Sequence, residues 1–194
     1  MRFDMSDFQI HFTKGSDLEE AYQNLKSIVD GRAVSGTNFK VRDDSNCVCF
    51  SEAPLSSLKS GLFNPSFYSP YSPFGIITTK QHIHTLGGRY VIYQPESEFS
   101  QLAPANQWRH VRYEPPSIDF TWEREWRLKT EAYEFLPSNT KIIVPSETWA
   151  QRLIGEYDDE QEWQTIQYSQ VMEEELAKQY EEPFPWKVVE LSNT

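Results

Sequence analysis

The sequence predicts an α+β fold in a single domain spanning all 194 residues. Short strand-like runs outnumber helical ones and do not alternate with them in a βαβ rhythm. Aromatic residues make up 14% of the chain and charged residues 24%, enough large rings to build a core despite few aliphatics. The length suits one domain and is too short for two ordinary ones.

From the amino end, Phe8, Ile10 and Phe12 alternate with Gln9, His11 and Thr13, which predicts a strand with an apolar and a polar side. Ser16 or Asp17 can cap a helix to about Val29, with Leu18, Tyr22, Leu25, Ile28 and Val29 at helical spacing and Gly31 as its stop. Residues 47–51 read as a short buried strand, and Pro54 as the start of a helical turn. Residues 63–73, rich in Phe, Pro, Ser and Tyr, read as an ordered aromatic loop. Strands are expected over 74–78 and 90–93, then a polar loop over 94–107 and a strand rich in Phe and Trp over 118–129. A strand over 141–144 and a Ser146-capped helix to about Leu153 come next. A separate acidic helix is expected from Asp158 to about Tyr180, then a strand over 186–191.

Eighteen Lys and Arg against 29 Asp and Glu give a net charge of −11, which disfavours a general nucleic-acid coat but permits a local basic pocket. No apolar run reaches the roughly 20 residues of a membrane helix, and the first residues lack the basic start and apolar stretch of a signal peptide. The expectation is a cytoplasmic protein without membrane contact. Cys47 and Cys49, two residues apart on a strand, read as buried free thiols.

Three segments can carry chemistry. His11 and Thr13, on one strand face, can present an imidazole and a hydroxyl to a ligand such as a ribose; the plain alternative is a strand-edge histidine. Tyrosines of the segment 68–76 can stack on a flat ring, or simply pack a proline-stiffened loop. In Asp119-Phe120-Thr121-Trp122-Glu123-Arg124-Glu125-Trp126-Arg127, a strand would set Glu123 and Glu125 on one face with Thr121 and Arg127. Two like charges there raise one carboxyl pKa and suit acid–base or cation-stabilising work. Surface Glu–Arg pairs are the alternative. His82 and His84 lack a carboxylate partner at ligand spacing, so no metal site is expected. The chain has neither of the glycine-rich phosphate-binding loops nor an H-E-x-x-H.

His-Phe-Thr (11–13) before a helix, a mid-chain tyrosine and a late Glu resemble the His-Tyr-Glu branch of the ADP-ribosyltransferases, and the opening is similar to those of DarT toxins and RNA 2′-phosphotransferases. Together with Cys-Phe-Ser-Glu-Ala-Pro-Leu (49–55), Pro-Phe-Gly-Ile (73–76) and Trp-Glu-Arg-Glu-Trp-Arg (122–127), the set looks like the AbiGi-type abortive phage-resistance family over residues 9–130. The resemblance implies split mixed and antiparallel sheets with flanking helices, a core over about 8–145, and C-terminal helices and a last strand over 146–194. It implies NAD as substrate, with His11 on the adenosine ribose, Thr13 nearby and the Phe12 backbone on the nicotinamide amide. Tyr71 would stack on nicotinamide, with Tyr68 and Tyr90 as rivals, and Ser51 and Arg127 would complete the cofactor-binding set. Glu125 would be the catalytic acid and Glu123 the orienter of the nucleophile, while Arg124 and Arg127 either neutralise the pair or grip the diphosphate. The acceptor would be a protein or nucleic acid in phage defence, and a defence partner or antitoxin is a further implied contact. A non-catalytic antitoxin or sensor of the same fold, and a magnesium nuclease using Asp119, Glu123 and Glu125, are the other readings.

Overall fold

The structure, a computed structural model, describes residues 6–56 and 71–193. Tyr68 and most of the expected aromatic loop lie outside them, as does most of the turn after Pro54. The architecture is α+β: a seven-stranded mixed sheet with helices on one face and loops on the other.

Strand β1 is Phe8–Phe12, β2 Ala33–Ser35, β3 Cys47–Ser51, β4 Gly75–Thr79, β5 Arg89–Tyr90 and β6 Ile92–Gln94. Then come β7 His110–Arg112, β8 Glu125–Lys129, β9 Ala132–Glu134, β10 Thr140–Val144 and β11 Lys187–Glu190. The main sheet runs β11-β10-β4-β1-β3-β8-β5, with a β2-β9 ladder and a parallel β6-β7 ladder beside it. Its neighbours are antiparallel except the β10-β11 edge pair.

The sheet is continuous but not uniform. β1 pairs with β4 over its whole length, and β3 with β8 over its whole length. Between β1 and β3 the ladder is reduced to one pair, Ile10 with Ser51. Four strands therefore lie on one side of a weak seam and three on the other. On the other side of β1, Gly75 brings β4 close to it, because a Cβ there would stand 2.2 Å from the His11 carbonyl oxygen.

Alternation along the strands separates two cores. Val48, Phe50, Ile76, Trp126, Leu128 and Ile142 face helix α1 (Leu18–Gly31) and helix α3 (Glu147–Ser169), with a short α2 (Lys80–Thr85) between them in sequence. Ile10, Phe12, Ile77 and Ile143 face the other way, beneath Ala53, Tyr71, Trp122 and Leu191. Helix α1 starts at Asp17, whose carboxylate accepts from the Glu20 amide at 2.9 Å, while Glu20 reaches back to the Ser16 amide and hydroxyl. Gly31 is its last helical residue, and the left-handed cap is Arg32, φ 49°.

Several expectations change. The two C-terminal helices are one up to Ser169, with a separate four-residue α4 (Glu174–Ala177). Gly155 does not break α3, because the Arg152–Glu156 ion pair spans it. Residues 90–93 split between two ladders, because the Val91 amide turns to the Glu125 carbonyl. The loop 94–107 holds two 3-10 turns, Glu96–Gln101 and Pro104–Arg109. Residues 146–193 are part of the fold, since β11 pairs with β10 and Trp186 enters the helix-side core. No described helix is long and apolar enough to cross a membrane.

Candidate functional site

The expected strand over 118–129 begins only at Glu125. Asp119 accepts from the Thr121 amide and hydroxyl, which bends 121–123 into a 3-10 turn, and Arg124 then turns through a left-handed φ of 47°. Glu123 and Glu125 are thus not strand neighbours on one face: one hangs from a turn, the other opens β8. Ser51, the last residue of β3, and Glu52 after it fix that turn. Ser51 Oγ donates to the Glu123 carbonyl at 2.7 Å and accepts from the Ala53 amide, and the Glu52 amide donates to the Arg124 carbonyl at 3.1 Å. Ser51 therefore spends its hydroxyl on the main chain that carries the acids.

Glu125 and Arg127 are 8% and 4% exposed. Arg127 Nε donates to Glu125 Oε1 at 2.8 Å, and its Nη1 to the carbonyls of Trp108 and His110 at 2.7 and 3.3 Å. With its guanidinium so held, Arg127 neutralises Glu125 and is not placed to grip a diphosphate. The Glu125 amide donates to the Tyr93 hydroxyl at 3.3 Å. Cys49 pairs with Arg127 across the ladder, diagonal to Glu125; burial first, then the Glu125 carboxylate, push its thiol well above the usual range.

Glu123 has a different environment. Burial, then the charge of Glu125, raise its carboxyl from 4.5 to about 7, partly opposed by the Tyr71 hydrogen bond and by Lys14 and Lys40. The Tyr71 hydroxyl donates to Glu123 Oε1 at 3.2 Å. Its ring lies 6.1 Å from Phe12 and 6.3 Å from Trp122, and Lys14 Nζ sits 5.3 Å from its centre. Burial and the two glutamates raise the Tyr71 phenol. One carboxyl ion-paired and the other poised near neutrality is an arrangement suited to splitting charge-stabilising and proton-accepting roles.

His11 reaches this cluster from the seam. Alternation puts it on the helix side, its ring edge-on to Phe50 at 6.1 Å, while Nδ1 lies 2.9 Å from the Cys49 carbonyl. A carbonyl only accepts, so Nδ1 carries the proton and Nε2 is an acceptor. Burial lowers the imidazole pKa, which favours this neutral form. Thr13 differs from expectation. It follows the strand, is buried, and turns its hydroxyl to the carbonyls of Ala21 and Phe74, tying the strand exit to α1 rather than to a ligand.

The contacts run in series: His11 to the Cys49 carbonyl, Cys49 to Glu125, Glu125 to Glu123 through their charges, Glu123 to Tyr71, Tyr71 to Phe12. Phe12, Ser51, Tyr71, Glu123, Glu125 and Arg127 are thus brought together on one face of the sheet, whereas the His11 ring lies on the opposite face and joins them only through the Cys49 main chain. Tyr90 stands apart, packed on Trp126 at 4.3 Å. Tyr93, Trp108 and Lys40 join the site without a signal in the sequence, because each meets it through partners distant in the chain.

The fit to a dinucleotide is partial. Nε2 of His11 can accept from a ribose hydroxyl, and Glu125 offers a carboxylate. Lys14 and Lys40 are the cations whose charges act on Glu123, while Arg127 is held by Glu125 and two carbonyls. His82 and His84 diverge, His82 toward Tyr133 and His84 outward, as i,i+2 positions on a helix must. Among the described residues no group of three or more His, Cys, Asp or Glu could hold a metal ion. Compared with known proteins, the chain matches no family model, no curated protein and no solved structure.

Proposed function

We propose that the chain is an ADP-ribosyltransferase-like protein of phage defence that takes NAD as substrate and transfers ADP-ribose to a protein or nucleic acid. The observation that carries this reading is the convergence of Glu123 and Glu125, in unlike environments, beside Tyr71 and next to the seam that holds His11. The weak β1-β3 seam accords with the split-sheet architecture that the resemblance implies. In this reading the nicotinamide–ribose bond breaks, the electron pair leaves with nicotinamide, and positive charge develops on the ribose. Glu125 stabilises that charge. Glu123, deprotonated above about pH 7, takes the proton of the incoming nucleophile. Tyr71 stacks on the nicotinamide and holds Glu123. His11 accepts from the adenosine ribose, and the main chain at Phe12 meets the nicotinamide amide.

The test is incubation of purified protein with labelled NAD and whole-cell extract, with and without magnesium. Label transfer or nicotinamide release is expected, and Glu125→Gln should abolish it while leaving the circular-dichroism spectrum intact. A folded Glu125→Gln protein that consumes NAD at the full rate ends this assignment.

The ion pair that neutralises Glu125 favours a second reading: a non-catalytic antitoxin or sensor that uses the same fold for binding. Silence toward NAD, with tight binding to a purified defence partner, is its expected result. Nucleic-acid cleavage that requires magnesium would instead support a nuclease.

A further inference from the structure

Glu52 follows Ser51 and is 1% exposed. A carboxylate so buried is costly unless both oxygens are filled. Here Oε1 accepts from Lys80 Nζ at 2.8 Å, and Oε2 accepts from Trp126 Nε1 at 2.8 Å and from the Tyr90 hydroxyl. The donors come from three elements: the start of α2, β8 and the edge strand β5. The residue's own amide holds the Arg124 carbonyl, and Ser51 holds the Glu123 carbonyl. Residues 51 and 52 thus grip positions 123, 124 and 126, on both sides of Glu125. Between them Arg124 keeps a left-handed φ of 47°, which a side-chain-bearing residue holds only when its surroundings impose it.

We propose that Glu52 is a positioning residue, whose buried carboxylate fastens the 123–126 turn and so sets where the Glu123 and Glu125 side chains lie relative to one another. The proposal rests on the reading of that acid pair as the reactive site, although the geometry itself does not require it. An acid is needed rather than an amide. Three donors converge on its two oxygens, and glutamine would turn an NH2 toward one of them. Glu52 touches none of Glu123, Glu125 or Tyr71 through its side chain. It acts through Trp126 and the main chain of Arg124.

The experiment compares wild type with Glu52→Gln and the milder Tyr90→Phe. The first readout is titration of the Glu123 carboxyl by carbon-detected NMR, which needs no substrate. Its midpoint near 7 depends on burial and on the groups facing it, Glu125, Tyr71, Lys14 and Lys40. Tyr90→Phe alters none of these and removes no charge, so a midpoint moved there reports a moved geometry, whereas a midpoint moved in Glu52→Gln alone is a through-space effect of the lost charge beside Lys80 and overturns the proposal. Glu52→Gln should lower the midpoint toward 4.5 with the protein still folded, and Tyr90→Phe should lower it less. The second readout is NAD turnover, in which Glu52→Gln should lower kcat by about tenfold or more and leave KM within about twofold.

An unmoved midpoint in folded Glu52→Gln overturns the proposal, as does a kcat loss that only follows the unfolded fraction. If Glu52→Gln fails to fold, Tyr90→Phe decides by the same measures. If wild type does not turn over NAD, the enzymatic reading fails, and the titration alone supports or overturns the role of Glu52.

Discussion

Glu123 has a raised pKa because burial disfavours its charge and Glu125 repels it. The folded carboxyl therefore binds its proton more tightly than the unfolded one does. Between about pH 4.5 and 7 the folded state holds more protons, so this contribution to stability is full below 4.5 and is lost as pH rises through 7. Above that range the buried charge costs about 3 kcal/mol. Glu123→Gln keeps an acceptor for Tyr71 and removes the charge. It should melt about 6–12 °C above wild type at a pH near 8 and lose that advantage at a pH near 5, in paired thermal scans. Equal melting points at both pH values would mean that Glu123 is not buried against Glu125. Glu125 behaves differently because it has a partner. The Glu125 carboxylate and two carbonyls hold the Arg127 guanidinium, so this pair resists screening, as surface pairs do not. Nothing in Trp-Glu-Arg-Glu-Trp-Arg distinguishes the ion-paired acid from the poised one; only their surroundings do.

The elements that place these groups differ in how readable they were. β1 and α1 follow from local chemistry: a period of two in one, and in the other a cap at Asp17 with buried Ala21, Tyr22, Leu25 and Val29. The acid-bearing segment misled because its alternation continues through Thr121 and Glu123, where Asp119 has already bent the chain into a turn. The three-residue strands β2, β7 and β9 were invisible, since strands so short are defined by their partners. Gly75 is where element geometry meets the site. A methyl group there would meet the His11 carbonyl oxygen at 2.2 Å and force β4 from β1. Gly75→Ala should destabilise by about 3 kcal/mol, read from the denaturant midpoint at constant slope. A midpoint within error of wild type would show that β1 and β4 can part without cost.

At the scale of the molecule, the weak seam and the C-terminal segment set the architecture. The loop-covered face collects the site because the helix-covered face is already filled by α1 and α3. Arg152 joins those helices, bonded to Glu19 of one and Glu156 of the other. Beyond Pro145, the chain supplies Ala150, Leu153 and Trp186 to the helix-side core and gives β10 its outer partner. The resemblance places these residues outside its core, yet here they close it. Truncation after Pro145 should therefore leave an aggregation-prone chain without near-ultraviolet dichroism. A soluble fragment with a cooperative melting transition would contradict that.

The sequence by itself determined the α+β class, the amino-terminal strand and helix, and the residue types from which an acid site could be made. These depend on periodicity and capping, which act over a few neighbouring residues. Tertiary structure decided which acid is paired and which is poised, that Arg127 clamps rather than binds, that Thr13 turns inward, and that Glu52 lies behind the acids. Each of those depends on burial and on partners distant in the chain. Desolvation and charge interaction are properties of the folded surroundings, and no local pattern of residues encodes them.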